Sequence, residues 1–113
     1  MNFDTYQQRA LETAIYPEAT TGSFAALSYT VLGLTNEAGE VAGKVKKVWR
    51  DNDGELTEEK KDQIADELSD VLWYVATAAR EINYSLEDIA WKNVDKLKSR
   101  KDRGVLGGSG DTR

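Results

Sequence analysis

The sequence predicts an all-α protein, a four-helix bundle, on three observations. Apolar residues recur in alternating steps of four and three along two long segments. Capping residues punctuate the chain between polar loops, and among 113 residues there is a single proline, Pro17, to interrupt a helix.

The first helix is expected from about Phe3 to Ile15, with Asn2 or Asp4 as its cap, before a loop from Tyr16 to Gly22. The second runs from about Ser23 to Arg50 and carries the stripe Leu27, Val31, Leu34, Ala38, Val41, Val45, Val48. An acidic turn from Asp51 to Leu56 follows. Thr57 caps the third helix, Glu58 and Glu59 favour its positive end, and its stripe is Ile64, Leu68, Val71, Val75, Ala78, Ile82. Asn83 ends it near Tyr84. Ser85 with Asp88 forms a capping-box-like start for the fourth helix, which fades near Arg103. Residues 1–103 thus make one helical domain, and the glycine-rich tail, Gly104 to Arg113, is expected to be flexible.

Composition narrows the function. A formal net charge of -5 argues against a protein that coats nucleic acid. No apolar run reaches transmembrane length and the polar Met1 to Arg9 is unlike a signal peptide, so no membrane role and a cytoplasmic location are expected. Absence of Cys fits a reducing compartment. At roughly 28 residues the second helix spans about 40 Å, beyond the ~34 Å breadth of a compact monomer of this size. That excess predicts a homodimer or a dimer of dimers.

Chemistry enters with four acids. Glu37 and Glu40 each precede a stripe residue of the second helix by one position, and Glu67 and Asp70 do the same on the third. If the acidic turn reverses the chain, both pairs flank the shared seam on one side. Glu40 lies ten residues before Arg50 and Glu67 ten after Thr57, so both pairs stand about 15 to 20 Å from the turn. Four carboxylates are therefore expected to converge. The alternative is a solvated acidic face, since 20 acids are spread over the chain. Against it, only Glu40 has a base at i+4, Lys44, and Asp62, Asp66 and Asp70 stack like charge.

With no His and no Cys, zinc, copper and haem sites of the usual kinds are excluded. Oxygen-only ligands on helices suit Mg²⁺, with Mn²⁺ an acceptable substitute, and magnesium held by carboxylates commonly completes its shell with substrate phosphates. Calcium competes, but aligning Gly54 with the invariant glycine of an EF-hand loop puts Trp49 and Lys60 at its first and last ligand positions. The turn is better read as solvated.

The pattern Glu37-x-x-Glu40, a gap of 26 residues, then Glu67-x-x-Asp70 resembles the ExxE…ExxD motif of the MazG-like all-α nucleoside triphosphate pyrophosphohydrolases. The likeness extends through Leu34-Thr-Asn-Glu-Ala-Gly-Glu40, Ala65-Asp-Glu-Leu-Ser-Asp-Val71, Asn93-Val-Asp-Lys96-Leu97 and the Gly-Ser-Gly-Asp ending found in small, stand-alone and phage-type members. The resemblance implies Mg²⁺-dependent cleavage of a nucleoside triphosphate between its α and β phosphates by an oligomeric helical bundle. Glu37, Glu40, Glu67 and Asp70 are then the expected metal ligands, with Glu37 or Glu40 also positioning or deprotonating the attacking water. Lys96 and Arg100 are candidate phosphate contacts, Asn93 an amide for sugar or base, and Trp73 or Tyr74 a wall beside the metal. The family pattern supports Asn93 and Lys96 better than Arg100. Alternatives are a non-catalytic helical interaction module, or the same fold acting on dUTP or an alarmone nucleotide.

Overall fold

The computed structural model describes residues 1–113 and contains four helices and no strand. They are α1 (Phe3–Leu11), α2 (Phe24–Asn52), α3 (Glu58–Glu81) and α4 (Leu86–Asp102). Each start is capped by the side chain that local chemistry favours: Asn2, Ser23, Thr57 and Ser85 accept the backbone N–H of Thr5, Ala26, Lys60 and Asp88. The first helix is shorter than expected. Beyond Leu11 the N–H groups of Glu12, Thr13 and Ala14 turn to carbonyls three residues back, and the Thr13 hydroxyl donates to the Ala10 carbonyl.

Three helix ends close in left-handed turns, that of α2 at Asp53, φ +52°. At α3, Asn83 has φ +61° while Tyr84 and Asn83 donate to Ala79 and Arg80. At α4, Gly104 plays the same part, with Val105 and Gly104 donating to Arg100 and Lys101. At the α2–α3 turn Gly54, φ +79°, lies under Trp49, whose ring would be 2.7 Å from an added Cβ.

Most interhelical packing is between α2 and α3, the antiparallel hairpin that the acidic turn makes possible, while α4 touches α1 and α3 but not α2. The seam is narrow. Its deepest positions are Ala26 and Thr30 on α2 and Ala76 and Thr77 on α3, and both threonine hydroxyls donate within their own helices, to Leu27 and Tyr74. Larger stripe residues, Val31, Val45, Leu68 and Ile82, stay half exposed. A second small core joins Ala10, Ala76 and Leu86, with Tyr6, Trp73 and Val75 against it.

Polar bonds tie α1 and the following loop to this scaffold. Gln7 donates to the carbonyls of Ala76 and Tyr84 and accepts from the Leu86 N–H, so one buried amide joins three helices. Glu81, also buried, accepts the N–H groups of Thr20 (2.8 Å) and Gly22 (3.0 Å) and the Tyr16 hydroxyl. Burial pushes its carboxyl up, but those donors and Arg80 win, holding it below the ordinary glutamate value. The same contact, after burial, pushes the Tyr16 hydroxyl well up.

Candidate metal centre

The hairpin places Glu37 on α2 opposite Glu67 and Asp70 on α3, and one oxygen from each lies within 4.8 Å of the others. Oxygens on a six-coordinate Mg²⁺ at ~2.1 Å sit about 3 Å apart when adjacent and about 4.2 Å when opposite. The three carboxylates are therefore gathered to within roughly 2 Å of the spacings a hard divalent ion needs. Their charge is little compensated. Lys44 Nζ stands 3.9 Å from Glu67 Oε1, and Glu37 is pushed above its ordinary pKa by burial and then by the fields of Asp70, Glu67 and Glu40.

Two expectations change here. Glu40 lies outside the group of three and is exposed, so the site is a triad with a fourth acid one turn away. Lys44, placed as the i+4 partner of Glu40 on helix spacing, reaches across the hairpin to Glu67 instead. Spacing along one helix gives the first arrangement; the lateral offset of two packed helices decides the second.

Tyrosines from two directions flank the acids. Tyr74 packs on Gly33, where an added Cβ would stand 2.1 Å from its ring, so only glycine admits the ring at this level of α2. Its hydroxyl is pushed up by burial first, with Tyr29, Glu37 and Asp70 adding to the effect. Tyr6 on α1 is raised by burial and by Asp70. Tyr6 also lines the largest cleft, about 370 Å³, with Met1, Asn2, Phe3, Leu72 and Glu87. Nothing in the sequence pattern distinguished Tyr29, whose ring stacks on Tyr16 with centroids 5.3 Å apart.

Trp73 is turned away from a ligand-binding role. Its indole N–H donates to the Ala10 carbonyl at 3.1 Å and the Thr13 hydroxyl at 2.9 Å, and its ring meets Tyr74 edge-on. It fastens α1 to α3 and orients Tyr74. Asn93 is exposed on α4, one turn before Lys96. Lys96 and Arg100 both point to Asp111, with Nζ and Nη2 each 3.3 Å from its Oδ1. The tail that was expected to be loose thus turns back on α4, and Arg113 secures it by donating to the carbonyls of Val105, Leu106, Gly107 and Gly110. The glycines permit this turn, and the arginine supplies the donors that order it.

A helical hairpin presenting clustered carboxylates, without any His or Cys, offers the oxygen-only donor set that suits a hard divalent ion. Residues 26–105 match the MazG nucleotide pyrophosphohydrolase domain, and the chain belongs to that family. Over its full length it is 51% identical to the Gene 37 protein of Mycobacterium phage L5, with all of both chains covered. No solved structure matches. No helix of the chain is long and apolar enough to cross a membrane.

Proposed function

We propose that the protein hydrolyses (deoxy)nucleoside triphosphates to the monophosphate and pyrophosphate, with Mg²⁺ as its natural metal and Mn²⁺ as a working substitute. The observation that supports this best is the convergence of Glu37, Glu67 and Asp70 from two helices within a domain of the pyrophosphohydrolase family. Bound there, the metal neutralises triphosphate charge and lowers the pKa of water. Glu37, Glu67 and Asp70 would hold and orient it. Glu40, outside the triad, is the carboxylate left to position the attacking water and take its proton. The water oxygen bonds to the α phosphorus, the bond from that phosphorus to the α–β bridging oxygen breaks, and pyrophosphate leaves.

Substrate groups find partners around this centre. Tyr6 links the carboxylates to the cleft under Met1, Phe3 and Leu72, which suits the sugar and base, and Tyr74 walls the opposite side. Asn93, Lys96 and Arg100 supply an amide and two cations for sugar and phosphates. Measuring pyrophosphate release across natural and modified triphosphates, with Mg²⁺ and with chelator, tests the reading. Release with some members of the panel and none with chelator is expected; no release from any would overturn it.

The active form is a homodimer or a dimer of dimers in the cytoplasm. The single chain is too open to be complete: its accessible surface is 7801 Å², against about 6,200 Å² for a compact monomer of 12.6 kDa. Its radius of gyration is 16.8 Å where about 13 Å is expected for this length. Phe24 is 81% exposed, Leu32 71% and Trp49 72%, and Trp91, Val94 and Leu97 line one uncovered side of α4. An excess of roughly 1,600 Å² per chain is what a permanent subunit interface covers. Light scattering at micromolar concentration should give at least twice the 12.6 kDa chain mass; a monomer would remove the assembly.

A further inference from the structure

Arg100 is an unusual residue to find buried at the end of an exposed helix. It is only 4% exposed, whereas every α4 residue from Trp91 to Ser99 is exposed. Its guanidinium is also poorly satisfied. Nε is buried with no partner, and Nη2 makes only two long contacts, 3.3 Å to Asp111 Oδ1 and 3.5 Å to the Gly110 carbonyl. Lys96 Nζ shares that same carboxylate oxygen at 3.3 Å.

This donor set is a poor match for what it holds. The Nε and Nη2 edge of an arginine is built to grip two oxygens of one planar or tetrahedral oxyanion at once. Asp111 offers one oxygen to one nitrogen of that edge. A phosphate group carries enough oxygens to reach Nε, Nη2 and Lys96 together, and it brings more charge. Asp111 itself is 85% exposed on its side chain, and its carboxylate bonds to no group but these two cations. Arg100 and then Lys96 keep its carboxyl below the ordinary aspartate value, so it remains a charged competitor at neutral pH.

We propose that Asp111 is an internal stand-in for a phosphate group: in the ligand-free protein it closes the glycine-rich tail over Lys96 and Arg100, and a di- or triphosphate must displace it to bind. The tail is then a latch that opens as the polyphosphate arrives. The glycines at 107, 108 and 110 let the turn open and reclose, and Arg113, whose side chain donates to tail carbonyls while its own carbonyl accepts from Arg103 at the end of α4, keeps the loop compact as it swings. This deepens the hydrolase reading and rests on its assignment of Lys96 and Arg100 to phosphate.

Displacement lowers apparent affinity by the fraction of chains in which the latch is open, so removing the competing carboxylate must tighten binding. The test is calorimetric titration of inorganic pyrophosphate, without metal, into the wild-type protein and D111A, with nucleoside monophosphate as a second probe. Asp111 is exposed, so the variant retains the fold. D111A is expected to bind pyrophosphate about three- to tenfold more tightly, and saturating pyrophosphate should speed hydrogen exchange at residues 105–113 of the wild type. Equal or weaker binding by D111A, or no pyrophosphate binding by either protein, would overturn the latch. If instead D111A binds more tightly while no triphosphate is hydrolysed, the latch stands and the hydrolase assignment fails. Tightening for monophosphate as large as that for pyrophosphate would show that a single phosphate displaces the tail, which overturns the requirement for a di- or triphosphate.

Discussion

Asp70→Asn and Glu67→Gln should each lower Mg²⁺-dependent pyrophosphate release by at least ~100-fold, because each removes a charged oxygen from the three acids proposed above to hold the metal. The fold should survive. Asp70 is exposed, and it stands at the end of a like-charged i,i+4 row with Asp62 and Asp66. Neutralising it relieves about 0.2 to 0.5 kcal/mol of repulsion, so the metal-free variant should melt at or slightly above the wild-type temperature. Glu67→Gln differs in leaving Lys44 without its partner 3.9 Å away, which cancels part of that relief. Melting with and without millimolar Mn²⁺ separates ligand loss from misfolding: the wild type should be stabilised by the ion and neither variant should respond. Full activity in either variant would remove it from the ligand set, and unchanged melting of the wild type with Mn²⁺ would speak for a plain acidic face.

Glu81→Ala should be the most damaging single change to stability away from the carboxylate triad. It strands the Tyr16 hydroxyl and the N–H groups of Thr20 and Gly22, all of which now converge on one buried carboxylate. A loss of about 3 kcal/mol is expected, with a fall in melting temperature on the order of 10 °C. Glu81→Gln should recover part of this, since its carbonyl oxygen still accepts while its amide faces a donor. The pH dependence follows from the lowered carboxyl pKa. A carboxylate held below its unfolded value contributes its full stability above about pH 4.5 and loses it as pH falls through the native value. The wild type should therefore lose stability in acid more steeply than Glu81→Gln. Parallel acid-melting curves for the two proteins would show that the charge is not what holds the loop.

Helix boundaries were largely legible because caps are local. Ser23, Thr57 and Ser85 can each satisfy an orphan N–H three residues on, and each does. The phase of Glu37, Glu67 and Asp70 was legible because an antiparallel hairpin turns equal offsets from two stripes into proximity. Glu40 escaped the same logic because ligand convergence depends on how far one helix is shifted across the other, and sequence spacing does not encode that shift. The role of Trp73 was hidden for a related reason: its partners are the Ala10 carbonyl of α1 and the Thr13 hydroxyl just beyond that helix. Glu81 left one faint signal, an acid in the last turn of a helix, where the macrodipole disfavours it. Such a residue asks for donors from elsewhere, and the Tyr16–Gly22 loop supplies them.

The separation of α4 from α2 puts the clustered acids and the α4 cations on different parts of the fold. The acids sit on the α2–α3 hairpin, whereas Asn93, Lys96 and Arg100 sit on α4, which follows the left-handed turn at Asn83 and packs on α1 and α3. A shift of α4 against α1 and α3 would move those three side chains without disturbing the α2–α3 seam that gathers the carboxylates. Substitutions along α4 should accordingly leave the geometry of the carboxylate cluster unchanged.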